Sequence, residues 1–338
     1  MPTNNQIVKN AAITTDTVTH GLLNPEQARR FIRQAFEQTA LGGLIRHEMR
    51  TSRTGQLDKI GIANRILRKK VENIDANADG SPPTLDPNTG QITGYRAKPT
   101  FDTVPYSTVP VRLPWEVTEE TLRENIEGQG LEATITALMT RQWGNDMEDL
   151  CLNGDEAVPL TDPDGLFLYI NDGWVKQISN GGHVYDASAY TEMTLDMFYN
   201  AIALLPNKYN NGRLRWVMSP FRAQQWELFL LNRAINNGSS APDSLYNSPG
   251  AIPTVRAPFL PDDKILLTDP QNLIVVTTYN MKIRKTDSDV RSIMEDKRFY
   301  VIHADFDAII EELDAAAIIE NLNVASNAGN GNGNGSGG

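Results

Sequence analysis

Residues 148–156 read EDLCLNGDE and bring together the side chains of this sequence best suited to chemistry, a thiol at Cys151 and adjacent carboxylates at Asp155 and Glu156. Two carboxylates support acid/base chemistry when one is held protonated near neutral pH while the other stays ionised. Adjacency in sequence does not create such a pair, and no His or Lys stands near Asp155 or Glu156 in the chain to partner either group. Two solvated carboxylates at a turn are expected, with an acid/base enzyme using Asp155 and Glu156 as the alternative. Cys151 sits between Leu150 and Leu152 on the last turn of an amphipathic stretch, which places its thiol in a core rather than at a nucleophilic centre.

Metal and nucleotide chemistry have less support. His20, His47, His183 and His303 are scattered, and His47-Glu48 lacks a second His four residues after the first. Asp162-Pro163-Asp164-Gly165 has the composition of a calcium loop without its spacing or closing Glu, so a turn is expected. The sequence holds no GxxxxGK[ST], no GxGxxG after a strand and no GxSxG. A single cysteine excludes an internal disulfide and a cysteine-rich zinc site and fits a reducing compartment. No catalytic, cofactor-binding or metal-binding residue and no cofactor are expected.

The formal net charge of −11 argues against a protein that coats nucleic acid throughout, because phosphate binding draws on clustered Lys and Arg. Residues 24–71 run the other way, with 11 Lys and Arg against 4 acidic residues. Within them Arg65 to Lys70 lacks interleaved aromatics for base stacking and suits an acidic protein surface at least as well. No run of 18 apolar residues occurs, and Met1 to His20 lacks the charged and apolar regions of a signal peptide, so a soluble product without membrane contact is expected.

The elements that must carry these residues are of mixed α+β type. Residues 1–23 read as a polar arm. Asn24-Pro25 opens a helix whose stripe is Phe31, Ile32, Ala35, Phe36, Leu41, Leu44 and Ile45, loosened at Gly42-Gly43. Leu57–Ile74 and Pro99–Val117 are expected as the arms of one long hairpin around a tip, residues 75–94, dense in Asp, Asn, Pro and Gly. In the second arm Val109, Val111, Leu113, Trp115 and Val117 alternate with Pro110, Arg112, Pro114 and Glu116, and the prolines require an edge strand or a lone ribbon. An arm of about fifteen residues at roughly 3.3 Å per residue reaches about 50 Å. Such a ribbon is marginal alone and needs a surface, for which a neighbouring subunit is the natural candidate.

TEETLREN, residues 118–125, predicts a short helix capped by Thr118, and Leu131–Leu152 predicts a rod of about 33 Å closed by a left-handed Asn153-Gly154. Further on, helices are expected over Leu195–Leu205 and from Ser219-Pro220 to about Asn232. Strands are expected over Leu214–Met218, Ile265–Thr268, Leu273–Tyr279, Lys282–Lys285, Arg298–Ile310 and Ala316–Leu322, before a Gly/Asn-rich tail.

This order, with AKPTFDTVPYSTVPVRLPWEVTEETLREN (97–125), LCLNGDE, DGLF (164–167), TLDMFYNAIALLP, LRWVMSPFRAQQWELF and IPTVRAPFLPDDKILLTD (252–269), resembles the Hong Kong 97-type major capsid proteins of tailed phages over residues 25–322. The resemblance implies an N-terminal arm and helix (1–50), an extended hairpin or E-loop (51–117), a peripheral domain with a spine helix (118–156), an axial α/β domain (157–278), return strands of the peripheral domain (279–324) and a flexible tail (325–338). It makes Asn153 and Gly154 the hinge between the two domains, and the intersubunit contacts expected are Arg68, Lys69, Lys70, Trp115 and Glu116. The implied role is a non-enzymatic virion subunit, assembled in the host cytoplasm, forming hexamers and pentamers around double-stranded DNA bound without sequence specificity. Partners would be a portal protein and, beyond it, scaffolding and decoration proteins. With only residues 1–23 ahead of the first helix, any scaffold is expected as a separate protein. The tip carries no Lys, so the family's covalent cross-link is not transferred. An encapsulin-type compartment keeps the same fold as an alternative.

Overall fold

The computed structural model describes residues 21–22, 39, 41–62, 84–85, 92–93, 99–124, 131–190, 192–236, 248–278 and 281–322. Two compact units result, one of residues 1–53 and 107–338, the other of residues 54–106. In chain order the strands are β1 (Gly21–Leu22), β2 (Arg46–Arg50), β3 (Thr54–Ile62), β4 (Thr84–Leu85), β5 (Ile92–Thr93), β6 (Pro99–Ser107), β7 (Val109–Thr118), β8 (His183–Asp186), β9 (Arg215–Met218), β10 (Thr254–Arg256), β11 (Ile265–Thr268), β12 (Leu273–Thr278), β13 (Lys282–Thr286), β14 (Lys297–Ile310) and β15 (Ala316–Glu320). The α-helices are α1 (Glu119–Glu124), α2 (Leu131–Asn153), α3 (Gly165–Leu168), α4 (Trp174–Gly181), α5 (Leu195–Leu204), α6 (Pro220–Asn236) and α7 (Val290–Glu295). No helix among the described residues is long and apolar enough to cross a membrane.

The larger unit holds two sheets. The six-stranded sheet runs β1-β13-β14-β12-β2, with β7 also on β14. The alternation in β7 is realised: Trp115 and Val117 are buried while Pro110, Arg112, Pro114 and Glu116 are exposed. Among the described strands β7 pairs only with β14, and this edge position tolerates Pro110 and Pro114, which donate no ladder hydrogen bond. α2 lays Trp143, Met147, Leu150 and Cys151 into the core beneath this sheet with Tyr300, Ile302 and Phe306. Cys151 is fully buried, and burial, reinforced by Asp307 and Glu148, pushes its thiol well above the usual range, so it behaves as a core residue. The five-stranded sheet runs β10-β9-β11-β15-β8 and has a second core, where Phe198 meets Trp216 and Trp226 edge-on at 4.9 and 5.1 Å.

In the smaller unit β3 pairs with β6 and β4 pairs antiparallel with β5. Leu57 and Tyr106 are buried, whereas Ile60 and Phe101 are 68 % and 75 % exposed. Gly55 is required beneath the Tyr106 ring, since a Cβ there would come within 2.6 Å of its Oη.

Four expectations change. The helix expected from Asn24 to Ile45 lies largely outside the described residues, and where it is described Leu41–Leu44 is a turn leading into β2. Gly42-Gly43 breaks the helical path there, and β2 gains a parallel partner in β12. The second hairpin arm divides at Thr108: Pro99–Ser107 stays with β3, while Val109–Thr118 joins β14 over ten residues, shortening the expected 51–117 hairpin to residues 54–106. The sheets also divide the chain differently from the bounds 157–278 and 279–324, because β12 belongs to the six-stranded sheet and β15 to the five-stranded one. Finally, Gly154 is not left-handed; positive φ among glycines is confined to Gly212 and Gly250 among the described residues.

Candidate functional site

The corner after α2 is built by close packing. A Cβ on Gly154 would meet the Asn171 carbonyl oxygen at 2.2 Å and that of Leu150 at 2.8 Å, so only glycine fits. Asn153 Nδ2 donates to Asp149 Oδ1 at 2.6 Å and to the Phe259 carbonyl at 2.7 Å, and Gly173 N–H donates to Gly154 O at 2.8 Å. These bonds make the expected hinge a tight joint. The adjoining cleft of about 710 Å³ is lined by Asp149, Asn153, Asp155, Lys176, Lys264 and Glu320 among others.

This geometry answers the chemistry suggested by Asp155 and Glu156. Lys176, distant in sequence, reaches Asp155 Oδ2 at 2.9 Å, correcting the expectation of no nearby cation. Burial is the largest single influence on Asp155 and raises its pKa, but the Lys176 and Ala157 hydrogen bonds with the attraction of Lys176 and Lys264 together outweigh it and hold the carboxyl below its usual range. Glu156 is exposed, and its N–H donates to Asp172 Oδ1 at 2.9 Å. Asp155, held ionised by its cation, is no proton donor near neutral pH. Asp162–Gly165 forms the expected turn, with Asp164 N–H donating to Asp162 Oδ1 at 3.0 Å. No cluster of metal-ligating side chains occurs among the described residues.

A second constellation was not anticipated. Arg53, where the smaller unit begins, makes a bidentate pair with Asp305 at 3.1 and 3.2 Å, and its carbonyl accepts the Thr108 N–H at 2.8 Å. Asp305 is buried and also accepts from Thr278 Oγ1 at 2.9 Å. Two residues on, Asp307 Oδ2 accepts the Ser107 N–H at 2.8 Å. Burial pushes the Asp307 pKa up to about 6 against the lowering effect of the Ser107 and Ala308 N–H groups, with Glu156 adding to the rise. The sequence signal was present in HADFDAII, which sets two carboxylates in an otherwise apolar strand.

The outer face of the six-stranded sheet carries a third feature. Register places His303 opposite both Lys282 and Arg112, making one row across β13, β14 and β7, with Arg284 two residues along β13 on the same face. Burial, then Arg284, Arg112 and Lys282, lower the His303 pKa. Among the described residues none of Arg112, Lys282 and Arg284 has a carboxylate partner. A cleft of about 760 Å³ at the same end of the sheet is lined by Pro114, Trp115, Glu116, Arg284, Phe299 and Tyr300 among others.

Of the expected contact residues, Arg68, Lys69 and Lys70 lie outside the described residues. Trp115 belongs to the subunit's own core, stacked on Tyr300 at 5.2 Å with 6° between the rings, because the β7 alternation turns it inward. Glu116 is exposed on the opposite face and pairs with Lys297 at 2.7 Å.

No family model matches the chain. A putative prophage capsid protein, YqbE of Bacillus subtilis (strain 168), is 28 % identical over 331 residues, covering 94 % of this chain and 98 % of that protein. Among solved structures, the satellite phage P4 procapsid including its size determination protein superposes with a TM-score of 0.59 at 14 % identity, over 91 % of this chain and 94 % of that one. The capsid of an empty GTA particle gives 0.57 at 8 % identity, over 92 % and 95 %. Gordonia phage Cozz gives 0.55 at 11 % identity, over 84 % and 86 %.

Proposed function

We propose that this chain is a structural, non-enzymatic member of the Hong Kong 97-fold phage capsid proteins and the major shell subunit of a tailed phage or prophage. It assembles into hexamers and pentamers that enclose double-stranded DNA. The observation that carries this reading is the end-to-end sequence relation to a prophage capsid protein. The smaller unit supports it, since a two-stranded ribbon with Ile60 and Phe101 exposed gains stability when a neighbouring subunit covers it. In this reading Arg68, Lys69 and Lys70 contact that neighbour, the N-terminal arm ties capsomers together, and Asn153-Gly154 is the joint between peripheral and axial domains. The acidic surface suits a wall along which packaged phosphate slides without sticking. A portal protein admits the genome, and scaffolding and decoration proteins are further partners.

Electron microscopy of the protein purified from a lysogen after induction tests the proposal. Closed shells containing DNA, with one portal vertex, are expected. Shells filled with protein cargo and lacking a portal overturn the phage assignment in favour of an encapsulin compartment, and the absence of shells overturns the shell role itself.

A further inference from the structure

Lys282, His303 and Arg112 stand side by side across three strands, with Arg284 on the same face. Lys282 and Arg112 flank His303 from either side with Arg284 beside them, and a concentration of cations without carboxylate partners makes a positive face that attracts an anionic occupant. The helix that connects these strands, α7, exposes Val290, Ile293 and Met294 at 74 %, 70 % and 81 %, an apolar face at spacing i, i+3, i+4. This surface is therefore short of negative charge and of an apolar cover.

Another surface of the same unit supplies both. The loop from Asp155 to Leu166 carries Glu156, Asp162 and Asp164, all exposed, and no cation. Its Leu160 and Leu166 are 56 % and 76 % exposed. The loop is already ordered by its own bonds, including Val158 N–H to Asp155 O at 3.1 Å and Asp162 N–H to Pro159 O at 3.0 Å. Preorganisation lowers the entropic cost of docking, and residues 75–94, acidic as well with Asp75, Asp79 and Asp86, are the competing segment. Nucleic acid is disfavoured, because a few cations on a chain of net charge −11 make a weak phosphate site.

We infer that the Arg112–Lys282–Arg284 face and cleft of one subunit receive the acidic 155–166 loop of a second copy. The contact joins two different surfaces of one chain, and such head-to-tail contacts close into rings when the rotation permits. It rests on the shell reading and specifies how capsomer neighbours recognise one another.

The test compares particle formation at low salt, by sedimentation and negative-stain microscopy, for wild type, Arg112→Glu/Arg284→Glu, Glu156→Lys/Asp164→Lys and the chain with all four changes. Each two-residue reversal is expected to raise the concentration needed for assembly by roughly tenfold or more, and the fourfold chain to regain particles. Monomer melting of the arginine variant should not fall, since the reversal relieves repulsion. If that variant does unfold, Arg112→Gln/Arg284→Gln replaces it with a smaller expected loss. Normal assembly of either reversal, or failure of the fourfold chain to recover, overturns the inference. Rescue of the arginine variant by Asp75, Asp79 and Asp86 to Lys assigns the face to the hairpin tip instead, and normal shells that fail to retain DNA assign it to phosphate. Wild-type protein that stays monomeric under all conditions overturns the shell reading, and the docking with it.

Discussion

In the larger unit the rings of Trp143, Trp174 and Trp216 are almost wholly buried, whereas among the described residues of 54–106 the buried apolar side chains are Leu57 and Tyr106, with Ile60 and Phe101 exposed. The first region brings its own core. The second has, among its described residues, β-sheet pairing but little apolar burial, and pairing alone leaves a two-stranded ribbon marginal. The difference teaches that, among the described residues, burial of large apolar side chains stabilises the larger unit while backbone pairing is the main support of the smaller one.

Substitutions in each region put this contrast at risk. Trp216→Ala should cost about 3–5 kcal/mol in denaturant unfolding of the isolated subunit, because it empties a fully buried site beside Phe198. A cost below about 1 kcal/mol would mean that the five-stranded sheet does not depend on this core. Gly154→Ala forces a Cβ against the Asn171 carbonyl and should cost about 1–3 kcal/mol, read as a drop in melting temperature. An unchanged melt would show the joint to be loose.

Asp307 gives the larger unit a pH signature. Its folded-state pKa is raised to about 6 from 3.8, so the native state binds the proton more readily than the unfolded chain. Its contribution is greatest below pH 4 and is lost as pH rises from about 4 to about 6. Asp307→Asn should therefore flatten the stability profile in that window and stabilise the subunit at pH 7 by about 1 kcal/mol. A profile identical to wild type between pH 4 and 7 would place the proton elsewhere.

Phe101→Ala should have the smallest effect on the subunit, within about 0.5 kcal/mol, because the ring is already in solvent. The same change should slow particle formation. If it destabilises the monomer as much as Trp216→Ala does, the ribbon has a core of its own and the contrast fails.

Local periodicity carried much of this fold. The helix read over 131–152 is α2 at 131–153, the alternation at 109–117 is β7, and LIVVTT is a fully buried strand. These were legible because the repeat of apolar residues reports which face of an element leaves water, a property of consecutive residues. The end of α2 was legible in position but not in cause, since the glycine answers to Asn171 rather than to its own dihedral angles.

Sequence by itself determined the mixed α+β character, the acidic charge and the buried Cys151, and carried, through whole motifs, the resemblance to the capsid proteins. Tertiary structure decided which strand receives β7, that β12 and β15 belong to different sheets, that Lys176 holds Asp155, and that Asp305 and Asp307 secure Arg53 and Ser107. It also decided that residues 112, 282, 284 and 303 form one charged surface. Each of these joins positions well separated along the chain, where a residue's type records its preference for water or core but not the identity of the neighbour that long-range folding brings to it.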